Sequence, residues 1–387
     1  MTVRLSSRVD SLRPTAVNSI LAEVRQLQAE GRELVSLMRG EPDFKTPAHI
    51  VDAAERALRN GRTGYPDNRG EMPLRQAIAD KLHYDAGTEV LVTTGATFGI
   101  WAALTAILEP GQEVLLPDPI YDAYQSPIAL AGGVAKAVPC SIENGRFTLH
   151  AAALDASCTP NTRALLLNTP WNPVGTVFTR RELEAIAEVV LRRGLVLLSD
   201  EIYEAITYGP HEHVSPISIS PELRERTIYI NSFSKTYAMT GWRIGYCAAP
   251  AAITQAMFLV LQQSSRGPAT FVQDAAAEAL RGPQECVSAM RAEYAQRLQR
   301  LRQVLDGIPG CPVLDPEGGF FAMVDARGLE QPSIEIRRRL MRDHGVVVAH
   351  GSAYGPSGEG TLRVSFASGG ATLEKGLQRL REGLLAR

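Results

Sequence analysis

Between about Ile50 and Leu280 the chain alternates short apolar runs with amphipathic stretches, and that alternation restricts the possible folds more than any other property. The runs EVLVTT, EVLLP, GVAKAVP, RALLLN, GLVLLSD, TIYIN and IGYCAA are mostly rich in Val, Ile and Leu, as buried strands are. Between the first two lies FGIWAALTAILEPG, whose apolar residues recur at helical spacing before a Pro-Gly stop. Strands separated by helices predict an α/β fold with a mostly parallel central sheet covered by helices on both faces. The two ends read differently. Pro14 to Gly31 forms an amphipathic helical pattern, with Ala16, Val17, Ile20, Leu21, Val24 and Leu27 on one face. From Gln284 onward a long charged helix, AMRAEYAQRLQRLRQVL, precedes GGFFAMVD, VVVAH and TLRVSFA, which are separated by helical patterns. The expected organisation is a large domain over residues 36–283 and a smaller α+β domain built from 1–35 and 284–387.

Composition narrows the partners. With 387 residues, 45% of them hydrophobic, the chain has material for a large core, and its formal charge of -2 supplies no basic excess to attract nucleic acid or a membrane surface. Small-molecule partners are expected, with no nucleic acid and no membrane. Five cysteines, Cys140, Cys158, Cys247, Cys286 and Cys311, are widely spaced and form no CxxC pair. Neither a disulfide framework nor a metal site is expected, and a reducing cytoplasm fits best. The opening MTVRLSSRVD has no apolar core of a signal peptide.

Lysine is scarce, with five in all, and one of them stands in NSFSKTYAMTGWRIG directly after the strand pattern TIYIN. In a parallel α/β sheet, ligands lie beyond the carboxyl ends of the strands, which is where Lys235 falls. Alone it reads as a solvated surface lysine. Ser232, Ser234 and Arg243 around it add two hydroxyls and a fork of N–H donors suited to a phosphate. In RGLVLLSDEIYEAI, Asp200 ends a strand and Tyr203 follows three residues later. A carboxylate there can hold a heteroaromatic nitrogen protonated beside a phenol donor, and an ordinary helix N-cap with a half-buried tyrosine fits the same residues. LLLNTPWNPVGTVFT makes a rigid turn that restricts Asn172, either as an amide donor to a ligand or as turn structure alone. VLVTTGATFGIWAAL sets Gly95, Ala96 and Thr97 at a strand-to-helix turn, where backbone N–H groups can meet an anion or small residues simply pack tightly. Tyr121, in LPDPIYDAY, can stack on a planar ring or pack in the core. Arg363, inside the apolar pattern TLRVSFA, carries a charge that needs a partner when buried.

Together these residues resemble the pyridoxal-phosphate-dependent aminotransferases of fold type I, class I/II, from LMRGEPDFKTP to LRVSFA and in the family's order. The resemblance implies that Lys235 forms an imine with pyridoxal 5'-phosphate, that Asp200 binds the pyridinium nitrogen, and that Tyr203 and Asn172 bind the ring oxygen. It assigns the phosphate to Gly95, Ala96, Thr97, Ser232, Ser234 and Arg243, with Tyr65 of GYPDNRG reaching in from the second subunit of a homodimer. Tyr121 becomes the stacking ring. Arg363, helped by Asn172 and backbone at Gly40, becomes the grip on the substrate α-carboxylate.

The implied activity moves the α-amino group of an L-amino acid to a 2-oxo acid, pyruvate or 2-oxoglutarate, by a ping-pong route in which Lys235 is the general base and acid. A β-eliminating lyase of the same fold is the alternative. Three departures stand out: Trp171 replaces the frequent His before the turn Asn, Val174 replaces the usual Thr, and His350-Gly351 replaces a Pro-Gly. Trp171 and Val174 are expected to affect packing only, and His350 is read as structural. Thr97 stands where an aspartate-specific branch often has a lysine, which argues against strict aspartate specificity.

Overall fold

The computed structural model describes residues 14–386 together with Ser6, Val9 and Leu12. Of the stretches assigned above to the smaller domain, residues 1–5, 7, 8, 10, 11, 13 and 387 lie outside the described residues.

Seven strands form the central sheet: β1 (Val90–Thr93), β2 (Glu113–Asp118), β3 (Val134–Pro139), β4 (Thr162–Asn168), β5 (Val196–Asp200), β6 (Thr227–Ser232) and β7 (Gly245–Ala248). Their order is β1-β7-β6-β5-β4-β2-β3. All neighbours pair in parallel except β7, which runs antiparallel to both β6 and β1. The interior strands β4, β5 and β6 carry continuous buried runs because helices cover both faces. The strand expected from GVAKAVP differs. β3 is an edge strand that exposes most of its side chains, including Val134, while Lys136 is half-buried and pairs with Glu113 at 3.5 Å. Lys136 on an edge discourages pairing with another sheet.

The reversal of β7 decides what sits at the top of the sheet. The parallel strands end there, so an antiparallel strand begins there. Gly245, the first residue of β7, is opposite Ser232 of β6 and Thr93 of β1, which delivers the preceding Arg243 to the edge where β1 and β6 finish.

Seven helices matter below: α1 (Ala16–Ala29), α2 (Ala96–Ile107), α3 (Arg180–Arg193), α4 (Phe233–Thr236), α5 (Glu285–Leu305), α6 (Ser333–His344) and α7 (Gly370–Leu385). Sequence signals place their ends. In α3, Thr179 and Glu182 form a reciprocal capping box and Gly194 closes the other end in the left-handed region.

A second, antiparallel sheet contains β8 (Val313–Leu314), β9 (Phe321–Asp325), β10 (Ala349–His350) and β11 (Thr361–Ser365) in the order β8-β9-β11-β10. The run VVVAH does not form one strand. Val346–Val347 pairs with Val35–Ser36 in a separate parallel ladder, and only Ala349–His350 joins β11. A core of side chains from α5, α6, α7 and this sheet also takes in Tyr203, Ile206 and Tyr208 from beyond β5. α1 packs through Ile20 against Met341, Val347 and Tyr354. No helix among the described residues is long and apolar enough to cross a membrane.

Candidate active site

The carboxyl ends of β1, β2, β4, β5 and β6, the start of β7, β9, β11 and the N-terminal segment enclose one cavity of about 740 Å³. Its wall contains every site residue assigned from the sequence except Gly95 and Tyr65.

At the end of β6 the chain turns into the short helix α4, with the Ser232 hydroxyl accepting from the Ser234 N–H at 3.4 Å. That turn aims Lys235 into the cavity, where Nζ donates to the Gly40 carbonyl at 2.5 Å. Burial pushes the amine down to about 8, against the pull of Glu41. Gly40 therefore meets Lys235 through its carbonyl, a contact not foreseen from the sequence.

Asp200, the last residue of β5, is 2% exposed. Its Oδ2 accepts from the Tyr124 hydroxyl at 2.5 Å and its Oδ1 from the Ile202 N–H at 3.3 Å, so neither of these bonds is to a cation. Burial pushes its carboxyl up to about 6, opposed by the Tyr124 bond. Tyr203 is buried against Phe320 and Phe321, with ring centroids 5.5 and 6.3 Å away, so it stands where the two cores meet.

Asn172 is fixed by the end of β4. Asn168 accepts the Asn172 N–H at 2.7 Å through Oδ1 and donates to the Asp200 carbonyl at 2.9 Å through Nδ2. The Asn172 carbonyl Oδ1 accepts from Arg363 Nη1 at 3.2 Å. Arg363 lies in β11, 2% exposed, between the rings of Phe321 and Tyr354 at 4.1 and 4.7 Å. Its other bond goes to the Met38 carbonyl at 3.5 Å, and Nε is buried with no partner. A buried guanidinium bonded only to neutral oxygens is costly, and an incoming carboxylate would remove that cost.

Just behind the wall residues Ala96 and Thr97, Gly95, at φ +80°, opens α2, and a Cβ there would lie 2.6 Å from Arg243 Nη2. Arg243 bonds the Thr240 carbonyl at 2.9 Å. The helix start at Ala96 and Thr97, the two serine hydroxyls and Arg243 thus make a donor-rich cradle that suits a phosphate.

Trp171 has a defined place. It is 1% exposed, stacks on Phe178 at 5.7 Å and donates from Nε1 to the Pro119 carbonyl at 2.8 Å, tying the β4 turn to the loop that carries Tyr121. His350 bonds Ser352 and does not line the cavity. Tyr65 is 87% exposed, 5.6 Å from the Arg266 guanidinium, and lies outside the wall of its own chain's cavity.

Sequence reasoning missed Tyr124 and Asn168. Both stood in quoted stretches, and the rule that buried polar groups need partners would have flagged Asn168 at the end of an apolar strand. A group of Glu201, Glu204 and His213 was also unforeseen. Glu201 is already bonded by Ser199, Ser215 and His213, and Glu204 by Lys81 and Tyr229, so Lys81 is the cation that serves it.

The description "Aminotransferase class I and II" fits residues 32–380 of this sequence. The chain belongs to that family. It is 37% identical to the aspartate aminotransferase of Geobacillus stearothermophilus, over all of both chains. It is 38% identical to the arginine–pyruvate transaminase AruH of Pseudomonas aeruginosa, over 93% of this chain and 91% of that protein. The crystal structure of an aspartate aminotransferase from Rhizobium meliloti superposes with a TM-score of 0.95 at 32% identity, over 99% of each chain. The protein is thus an amino-acid aminotransferase of fold type I that uses pyridoxal phosphate. These relatives give a β-eliminating lyase no support. The cavity fits the cofactor: the donor-rich cradle matches its phosphate, and the cation-free carboxylate of Asp200 matches its ring nitrogen.

Proposed function

We propose that this cavity transfers the α-amino group of an L-amino acid to pyruvate or 2-oxoglutarate in two half-reactions, with the residue roles that follow. The observation that carries the reading is the convergence on one cavity of Lys235, Asp200 and Arg363, all hydrogen-bonded to neutral groups only. Pyridoxal phosphate, when bound, supplies an aldehyde for amine exchange and a ring that withdraws electrons from the substrate Cα.

The chain's own residues do the rest. Ser232, Ser234, Arg243 and the backbone at Gly95, Ala96 and Thr97 bind the phosphate, joined by the partner subunit's Tyr65. Asp200 accepts the proton on the ring nitrogen, Tyr203 and Asn172 donate to the ring oxygen, and Tyr121 packs on the ring face. Arg363 and Asn172 bind the α-carboxylate, with backbone at Gly40, and so orient the Cα–H bond. The Lys235 amine, with its proton affinity lowered by burial, would take up the Cα proton at Nζ as general base and hand it on as general acid.

The same reading assigns residues 36–283 to a large cofactor-binding unit and 1–35 with 284–387 to a small unit that closes over the substrate. Hydrophobic clusters centred on one sheet or the other support that division, although Leu314 and Met323 of the second sheet join the first cluster and Tyr203, Ile206 and Tyr208 join the second. A cytoplasmic homodimer completes it.

The test is spectroscopic. Lys235→Ala should lose the absorbance of the lysine-bound cofactor. In the wild-type enzyme an amino donor alone should bleach that absorbance stoichiometrically, and a 2-oxo acid should restore it. Sustained release of pyruvate and ammonia without an acceptor would sink the proposal.

A further inference from the structure

The roles proposed above leave unused three charged side chains of the cavity wall, those of Arg39, Glu41 and Asp122. Arg39 and Glu41 face each other at 3.4 Å, both well exposed, and Glu41 also accepts from the Thr240 hydroxyl at 2.8 Å. That pair is already neutral and solvated.

Asp122 differs. It directly follows the Tyr121 ring, and its Oδ2 accepts the N–H of Ala16, the first residue of α1, at 2.7 Å. Its Oδ1 is buried with no hydrogen-bond partner. Burial holds the carboxyl above its ordinary range, although Ala16 and Arg363 oppose the shift. A carboxylate in this state gains most from a donor that carries positive charge.

The surroundings define what can reach it. Asp122 and Thr15 stand in the wall of the main cavity and also of a second cavity of about 390 Å³. Pro14, Gln125, Ser126 and Ala353 help to line that second space, and no Lys, Arg or His contributes to it among the described residues. The space on either side of Asp122 therefore meets at this carboxylate, and the second cavity holds no cation of its own among the described residues. A distal carboxylate would find no counter-charge there and would meet Asp122 as a like charge. An ammonium or guanidinium would find its partner.

We propose that Asp122 is a specificity-determining residue that receives the cationic side-chain terminus of a basic L-amino acid, such as arginine or lysine, as the amino donor. This rests on the aminotransferase reading and adds the donor class to it.

The experiment measures the second-order rate constants with which L-arginine, L-lysine, L-aspartate and L-alanine bleach the lysine-bound cofactor of the holoenzyme. Wild-type enzyme should favour arginine or lysine over aspartate. Asp122→Asn keeps an oxygen for the Ala16 N–H but removes the charge, and it should lower the arginine-to-alanine ratio by about tenfold or more. A purely structural role would slow both donors equally and leave that ratio unmoved. Ser126→Lys, which sets a competing cation in the second cavity, should lower the same ratio even if Asp122→Asn fails to fold. The inference is overturned if aspartate outpaces both basic donors in the wild type, or if the variants leave the ratio unchanged. Reaction with alanine but without this selectivity removes the inference alone, whereas failure of every donor removes the aminotransferase reading as well.

Discussion

Lys235 and Asp200 owe their chemistry to neighbours that a linear reading does not connect. Burial brings the Lys235 amine down to about 8 from an ordinary 10.5, so it is protonated below that pH and neutral above it. In cofactor-free protein, the rate at which an amine-directed acylating reagent labels Lys235, with Lys235→Ala as the blank, should reach half its maximum near pH 8. A rate still climbing toward pH 10.5 would contradict the assigned environment. Tyr124 acts on Asp200 through a bond of 2.5 Å that favours the charged carboxylate. Tyr124→Phe should push the Asp200 pKa higher and weaken cofactor retention roughly tenfold, as loss of one charge-assisted hydrogen bond implies. Equilibrium dialysis of the cofactor would measure it, and unchanged retention would remove Tyr124 from the site. Arg363 was legible as a charge inside an apolar strand pattern, and Lys235 and the serines were legible through one another within a single stretch. Tyr124 was not, since its meaning depends on the β2 loop lying over the end of β5, and that adjacency follows from strand order.

At the scale of elements, the strand runs and the helix ends could be read because burial on both faces and capping each leave a local signature. Where pairing partners decide, the reading failed: β3 shares the composition of an interior strand but borders solvent, and VVVAH divides because Val346 and Ala349 answer to different neighbours. The N-terminal helix shows how one element is secured. Arg337 of α6, 1% exposed, forms two bonds of 2.9 Å with Glu23 of α1. Glu23→Ala leaves that guanidinium buried without its anion and should destabilise the protein by about 2 kcal/mol. Glu23→Gln, which keeps an acceptor, should cost less. Urea unfolding midpoints of the two variants distinguish these outcomes, and equal midpoints for Glu23→Ala and the wild type would show that α1 is held by its apolar face alone.

For the whole molecule, the exposed Tyr65 ring makes a prediction about assembly. If the partner subunit's Tyr65 completes each cavity, a mixed dimer of Lys235→Ala and Tyr65→Ala chains contains one site lacking both groups and one site lacking neither. Co-refolding the two weakly active or inactive variants should therefore restore activity toward half that of the wild type per hybrid dimer. If Tyr65 served its own chain, no hybrid site would be intact and the mixture would gain nothing. The cavity is also assembled from distant parts of one chain, since Gly40 meets Lys235 across 195 residues and Asn172 meets Arg363 across 191. Such separation gives the site a place in time as well as in space. A ribosome that has released everything through β7 has released this chain's phosphate cradle, Asp200 and Lys235, yet β11 is still to be made. Under the proposed roles, the grip on the substrate carboxylate enters the chain well after the cofactor's residues, so a chain arrested between β7 and β11 would be primed for its cofactor while still blind to its substrate.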